Sequence, residues 1–310
     1  MINITIPSTD NKNKLHVVVW KPEDKVRAIV QISHGMIEYI ERYDEFARFL
    51  NSHGILVIGN DHLGHGRTAA CEDDYGYFGE GKSRTVVEDL HEVTKYAKKQ
   101  YGINIPYFLL GHSMGSFMAR RYLITYGKEL SGAVLCGTGY TPTHVLITGK
   151  FVCGIIKFFK GERYHSDFIK KASFAGYTKR IADIQSSNDW ISVNRENVKK
   201  YNNDKLCSYD FSINGYQTLF NVLSFIQNKK NYVNIPDLLP IYMVAGSEDP
   251  VGNYGKGVEK IFEQYKKSGI KDIEIKLYKD DRHEILNEDD KEVVYKDILY
   301  WIEERINKAY

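Results

Sequence analysis

The pentapeptide Gly111-His112-Ser113-Met114-Gly115 constrains this chain more than any other feature, because of what flanks it. The apolar run Tyr107-Phe108-Leu109-Leu110 reads as a buried strand, and residues 116–123 read as a helix. A chain that passes from strand to helix through one serine must bend sharply, and that turn closes only where the neighbouring positions lack side chains. Glycine at 111 and at 115 meets this demand. The strained turn lifts the Ser113 hydroxyl away from the sheet, toward a base and a substrate.

The rest of the chain continues the alternation. Strand-like runs cover residues 15–20, 28–33, 55–59, 132–136, 240–246 and 273–278, the first of them expected antiparallel at a sheet edge. Helical spacing covers 43–50, 85–99, 257–267 and 289–307. The expected fold class is therefore α/β, a mostly parallel central sheet flanked by helices. Between 139 and 235 the alternation fails, and a Lys-, Asn-, Tyr- and Phe-rich segment carries several helix-like stretches. So long an interval without strands reads as a mainly helical cap inserted into a core of 1–138 and 236–310.

Forty-two basic against 40 acidic residues leave a net charge of +2 in a chain of 310, so no global field favours nucleic acid or an anionic membrane. The four cysteines, Cys71, Cys136, Cys153 and Cys207, lack C-x-x-C spacing, and the first residues lack a basic-then-apolar leader. Both point to a reducing, cytoplasmic setting. No apolar run reaches the roughly 20 residues of a membrane span, which leaves peripheral membrane contact as the one open lipid association.

In an α/β sheet the chemistry lies just past the carboxyl ends of the strands. Ser113, Asp249 and His283 each follow a strand-like run, in the order nucleophile, acid, base. Serine needs an imidazole to take its proton, and the imidazole needs a carboxylate to fix its tautomer. His283 is the expected base and Asp249 its orienter, with Glu248 as rival acid and Asp280 and Asp281 read as solvated loop charges. The oxyanion of a tetrahedral intermediate calls for two backbone donors. The Met114 N–H supplies one, and the Met36 N–H, in Ser33-His34-Gly35-Met36, stands where the second is expected, unless His34-Gly35 is an ordinary tight turn. Asp61-His62-Leu63-Gly64-His65-Gly66 reads as a structural loop; no metal and no cofactor are expected.

With these residues in place, the chain resembles the monoacylglycerol lipase and lysophospholipase branch of the α/β-hydrolase superfamily. The resemblance rests on His34-Gly35-Met36-Ile37-Glu38 with Arg42-Tyr43, on Asn60-Asp61-His62-Leu63-Gly64-His65-Gly66-Arg67, and on residues 111–115, 246–249 and 283–284. It implies triad roles for Ser113, Asp249 and His283, oxyanion roles for Met36 and Met114, and hydrolysis of lipid-like acyl esters. The chain departs from the family pattern at Tyr39, often a histidine, and at Ser116, often a second glycine. Two other readings stay open. An aminopeptidase- or amidase-like enzyme would need a cap carboxylate, with Glu162, Asp183, Asp189 and Glu196 available, and a ligand-binding protein could keep the fold without turnover. The apolar stretch 145–159 either lines an acyl tunnel, touches lipid, or packs the cap on the core, and packing is the expectation.

Overall fold

Five of the apolar runs are buried at every residue: β3 (Ala28–Ser33), β4 (Ile55–Asn60), β5 (Tyr107–His112), β6 (Gly132–Cys136) and β7 (Ile241–Gly246). Continuous apolar character of this kind belongs to parallel strands covered on both faces. The computed structural model describes residues 1–80 and 83–308. With β1 (Ile2–Pro7), β2 (Lys14–Trp20) and β8 (Ile273–Tyr278), the strands form one eight-stranded sheet in the order β1-β2-β4-β3-β5-β6-β7-β8. Strands β3 to β8 run parallel, whereas β1 and β2 pair antiparallel.

The edge differs from expectation. Residues 15–20 are antiparallel, but the edge position belongs to β1, where Ile2, Ile4 and Ile6 alternate with Asn3 and Thr5. That alternation is the signature of a half-covered strand.

Successive side chains of a strand face opposite ways, and β5 shows the consequence: Tyr107 and Leu109 join one core cluster while Phe108 and Leu110 join the other. Helices α1 (Asp44–Asn51) and α9 (Lys291–Lys308) cover the second face. Helices α2 (Thr85–Tyr101), α3 (Met114–Tyr126) and α8 (Lys256–Lys267) cover the first.

Between β6 and β7 lie α4 (Thr143–Lys160), α5 (Asp167–Ser173), α6 (Arg195–Asn203) and α7 (Ile213–Ile226). Side chains start three of them: Ser166, Asn194 and Ser212 each accept a hydrogen bond from the N–H three residues on. The expectation that 145–159 packs inward holds for one face of the helix only. In α4 only Leu146 and Cys153 are buried, Val152 and Ile156 are half-buried, and Gly149 meets Phe220 of α7. Ile147, Phe151, Phe158 and Phe159 are exposed, because one face of the helix already satisfies its contact with α7. No described helix is long and apolar enough to cross a membrane.

Candidate active site

Ser113 sits between β5 and α3 at φ +52° and ψ −121°, a conformation costly for a residue with a side chain. The turn is held by bonds on both sides. The Ser113 N–H donates to Cys136 O at 2.9 Å, and Ser113 O accepts from Ser116 N at 2.9 Å and Ser116 Oγ at 2.6 Å. The serine at 116 thus supplies a hydroxyl that pins the turn from a fully buried position. A Cβ at Gly111 would strike the Gly115 carbonyl, and one at Gly115 would strike the carbonyls of Ser33 and His34. These are backbone atoms and cannot step aside.

Asp249 follows β7 and His283 follows β8. The His283 Nδ1 lies 2.9 Å from Asp249 Oδ2, with both side chains almost fully buried. Asp249 Oδ1 accepts the Val251 N–H at 2.8 Å. The rival acid points elsewhere: Glu248 is 42% exposed and faces Arg180 at 3.9 Å. Asp280 is exposed, but Asp281 is buried, contrary to expectation, and burial together with Asp290 and Glu288 pushes its carboxyl up to about 7.

Ser113, Met114, Met36 and His283 line one cavity of about 640 Å³, and residues between 167 and 219 supply much of the rest of its lining. The loop after β3 reaches the nucleophile closely, with a Cβ at Gly35 falling 3.1 Å from Ser113 Cβ. Among the described residues neither the Met36 nor the Met114 N–H has an acceptor. The Gly35-Met36 peptide is oriented by His34: its Nε2 accepts the His62 N–H at 3.0 Å, so Nδ1 carries the proton and donates to Gly35 O at 2.8 Å. Carbonyl and N–H point opposite ways across a trans peptide, so the Met36 N–H faces away from His34.

Beneath this loop lies a charged cluster whose partners sequence reading did not pair. Glu38 accepts from the Gly35 N–H, from Tyr43 Oη at 2.9 Å and from Arg42 at 2.9 Å. Arg42 also grips Glu284 through both oxygens at 2.7 and 2.8 Å. His112 stands between Glu38 Oε1, 3.0 Å from its Nδ1, and the His283 carbonyl, 3.3 Å from its Nε2. Burial pushes the Glu38 carboxyl up, but the His112 bond and charge and the Arg42 guanidinium outweigh it and hold the group well below the usual range. For His112 burial works downward, and the bond to Glu38 outweighs it and raises the ring. Each ring nitrogen of His112 thus faces an oxygen that can accept.

The loop at 61–66 is spoken for by structure. Asp61 accepts the N–H groups of Ile40 and Arg67 at 2.8 Å and meets His16 Nδ1 at 2.9 Å. Burial lowers His62, and His65 to about 3, so both rings are neutral. No group of three or more His, Cys, Asp or Glu among the described residues is placed to hold a metal. The residues at the two departures also have contacts: Tyr39 Oη donates to Asp204 at 2.7 Å, tying the β3 loop to the segment after α6. Sequence reading missed Trp190 altogether, whose indole packs against the His283 ring at 5.0 Å between centroids, tilted by 43°.

Comparison with known proteins adds an independent line. The family model described as serine aminopeptidase, S33, matches residues 24–290. A monoglyceride lipase homolog of Monkeypox virus is 46% identical over 100 residues, 31% of this chain and 33% of that protein. The monoglyceride lipase of Rattus norvegicus is 27% identical over 297 residues, 94% of this chain and 87% of that one. Among solved structures, a highly thermostable carboxyl esterase from Bacillus coagulans, in complex with glycerol, is 30% identical, covers 98% of both chains and superposes with a TM-score of 0.92.

Proposed function

Because this chain belongs to the serine aminopeptidase S33 family and has the α/β-hydrolase fold, we propose that it acts as a serine hydrolase on lipid-like carboxylic esters, of the monoacylglycerol or lysophospholipid kind, through an acyl-Ser113 intermediate. The observation that carries this reading is the buried Asp249–His283 pair at 2.9 Å, whose imidazole lines one cavity together with the strained Ser113. The relatives named as monoglyceride lipases and the carboxyl esterase support an ester substrate for this chain.

In the proposed cycle His283 takes the Ser113 proton as Oγ attacks the ester carbonyl. The oxyanion accepts from the Met36 and Met114 N–H groups, and the leaving alcohol receives the proton back from His283. Water, deprotonated by the same imidazole, then attacks the acyl-serine and releases the acid and the free hydroxyl. Asp249 keeps the proton on Nδ1 and offsets the charge of the imidazolium. Residues 139–235 form the cap over a core of 1–138 and 236–310, and the exposed apolar face of α4 is the part that meets a lipid surface. The scattered cysteines support a cytoplasmic location.

The amidase reading finds less support. Of its carboxylates, Glu162 is taken by Tyr77 and Lys157, Asp189 by Gln185, Ser186 and Arg195, Asp183 is exposed, and none of the four lines the cavity. The test is labelling by a fluorophosphonate probe together with turnover of p-nitrophenyl esters of increasing chain length and of aminoacyl anilides. Ser113→Ala should lose labelling and ester cleavage together. Retained turnover in that variant refutes the proposal.

A further inference from the structure

A catalytic imidazole on a loop needs something to stop its ring from turning, and one carboxylate at Nδ1 fixes only one of its edges. The Trp190 indole lies beside the His283 ring at 5.0 Å and 43°, and it comes from the inserted segment, not from the sheet. Its own position is braced from both sides. Residue 189, just before it, offers its carbonyl to Arg282 Nη1 at 2.7 Å; residue 191, just after it, offers its carbonyl to the Glu284 N–H at 2.7 Å. The two neighbours of His283 are thereby bonded to the two neighbours of Trp190, with the two tilted rings packed against each other between them. Glu288, buried at the end of the same loop, locks the next turn by accepting from Ser192 Oγ at 2.6 Å and from the Val193 and Asn194 N–H groups. Tyr177 backs the indole edge-on at 4.9 Å.

We propose that Trp190 is a positioning residue for the His283 imidazole, held as a fixed part of the catalytic loop by the brace between 189–194 and 282–288. This rests on the serine hydrolase reading. It also divides the insertion: the stretch around Trp190 stays with the catalytic histidine whatever the remaining helices do, because its bonds run to the core. The ring shields the Asp249–His283 hydrogen bond from water and restricts rotation of the imidazole, which lines the cavity with Ser113.

The experiment compares Trp190→Phe and Trp190→Leu with the wild type, using p-nitrophenyl butyrate turnover and the rate of fluorophosphonate labelling. Phenylalanine keeps a flat face against the imidazole; leucine fills space without one. Loss of orientation in Trp190→Leu should lower kcat and the labelling rate by about 10- to 100-fold with KM changed far less. Trp190→Phe should recover most of both. The downfield proton resonance of the His283–Asp249 bond should be sharp in the wild type and Trp190→Phe and broadened by water exchange in Trp190→Leu. Unchanged kcat with raised KM in both variants would make Trp190 a pocket wall only and overturn the proposal. The hydrolase reading fails separately, if wild-type protein is not labelled at Ser113.

Discussion

Replacing Asp249 by asparagine changes one atom, yet the structure makes its effect large. The carboxylate has two occupied oxygens: Oδ1 takes the Val251 N–H at 2.8 Å and Oδ2 faces His283 Nδ1 at 2.9 Å. An amide must choose which end to present to each. With its oxygen kept on Val251, its NH2 donates to Nδ1, drives the imidazole proton to Nε2, and leaves no lone pair for the Ser113 proton. The opposite flip restores the productive tautomer but sets NH2 against the Val251 N–H, leaving a buried donor unpaired at about 1–3 kcal/mol. At about 1.4 kcal/mol per tenfold, roughly one molecule in five to one in 150 then has the right tautomer. The neutral amide also gives up the charge that stabilises the imidazolium, and the combined loss expected in kcat is about 10³- to 10⁴-fold, some 4–5.5 kcal/mol of barrier. Stopped-flow release of p-nitrophenol separates acylation from deacylation, and both should slow because the same imidazole serves each. The nearly isosteric change should leave the thermal midpoint close to wild type. A fall in kcat of less than tenfold refutes Asp249 as the orienting acid.

Arg42→Ala leaves Glu38 and Glu284 buried with their shared cation gone, and urea denaturation should show about 3–5 kcal/mol lost; a change under 1 kcal/mol would mean the cluster contributes nothing to stability. Asp89 predicts a pH dependence: burial outweighs the bonds from Thr9 and Ser8 and pushes the carboxyl up to about 6. The folded state therefore holds this proton more tightly than the unfolded chain, and stability falls by up to about 3 kcal/mol as pH rises from about 4 through 6. Asp89→Asn should flatten that slope in denaturation series between those limits, and an unaltered slope refutes the assignment. The double variant Phe151→Asp, Phe158→Asp alters side chains that are 67% and 83% exposed, so folding and turnover of a water-soluble ester should be preserved. Cleavage of monooleoylglycerol in phosphatidylcholine vesicles should fall by about 10- to 100-fold, because two rings no longer enter the interface. Equal losses on both substrates would remove the lipid-facing role of α4.

What could be read from sequence is what depends on neighbours along the chain. Alternation and apolar runs register which faces of a strand are covered, so most strands of the sheet lie where residue spacing puts them. The turn at Ser113 is legible for the same reason: its strain and the need for glycine at 111 and 115 are properties of five consecutive residues. Even Ile2, Ile4 and Ile6 carried a local signal for the missed edge strand. Tertiary structure decided everything that depends on which distant groups share a low-dielectric space. Arg42 lies 242 positions from Glu284, and His112 lies 74 from Glu38, so no spacing rule could pair them. Asp281 looks like any loop acid until neighbouring elements bury it. Trp190 meets His283 only after the insertion folds back on the loop that follows β8, and α4 turns its phenylalanines outward only because its other face is already packed against α7. Periodicity reports that a residue is apolar; only the assembled chain determines whether anything is there to cover it.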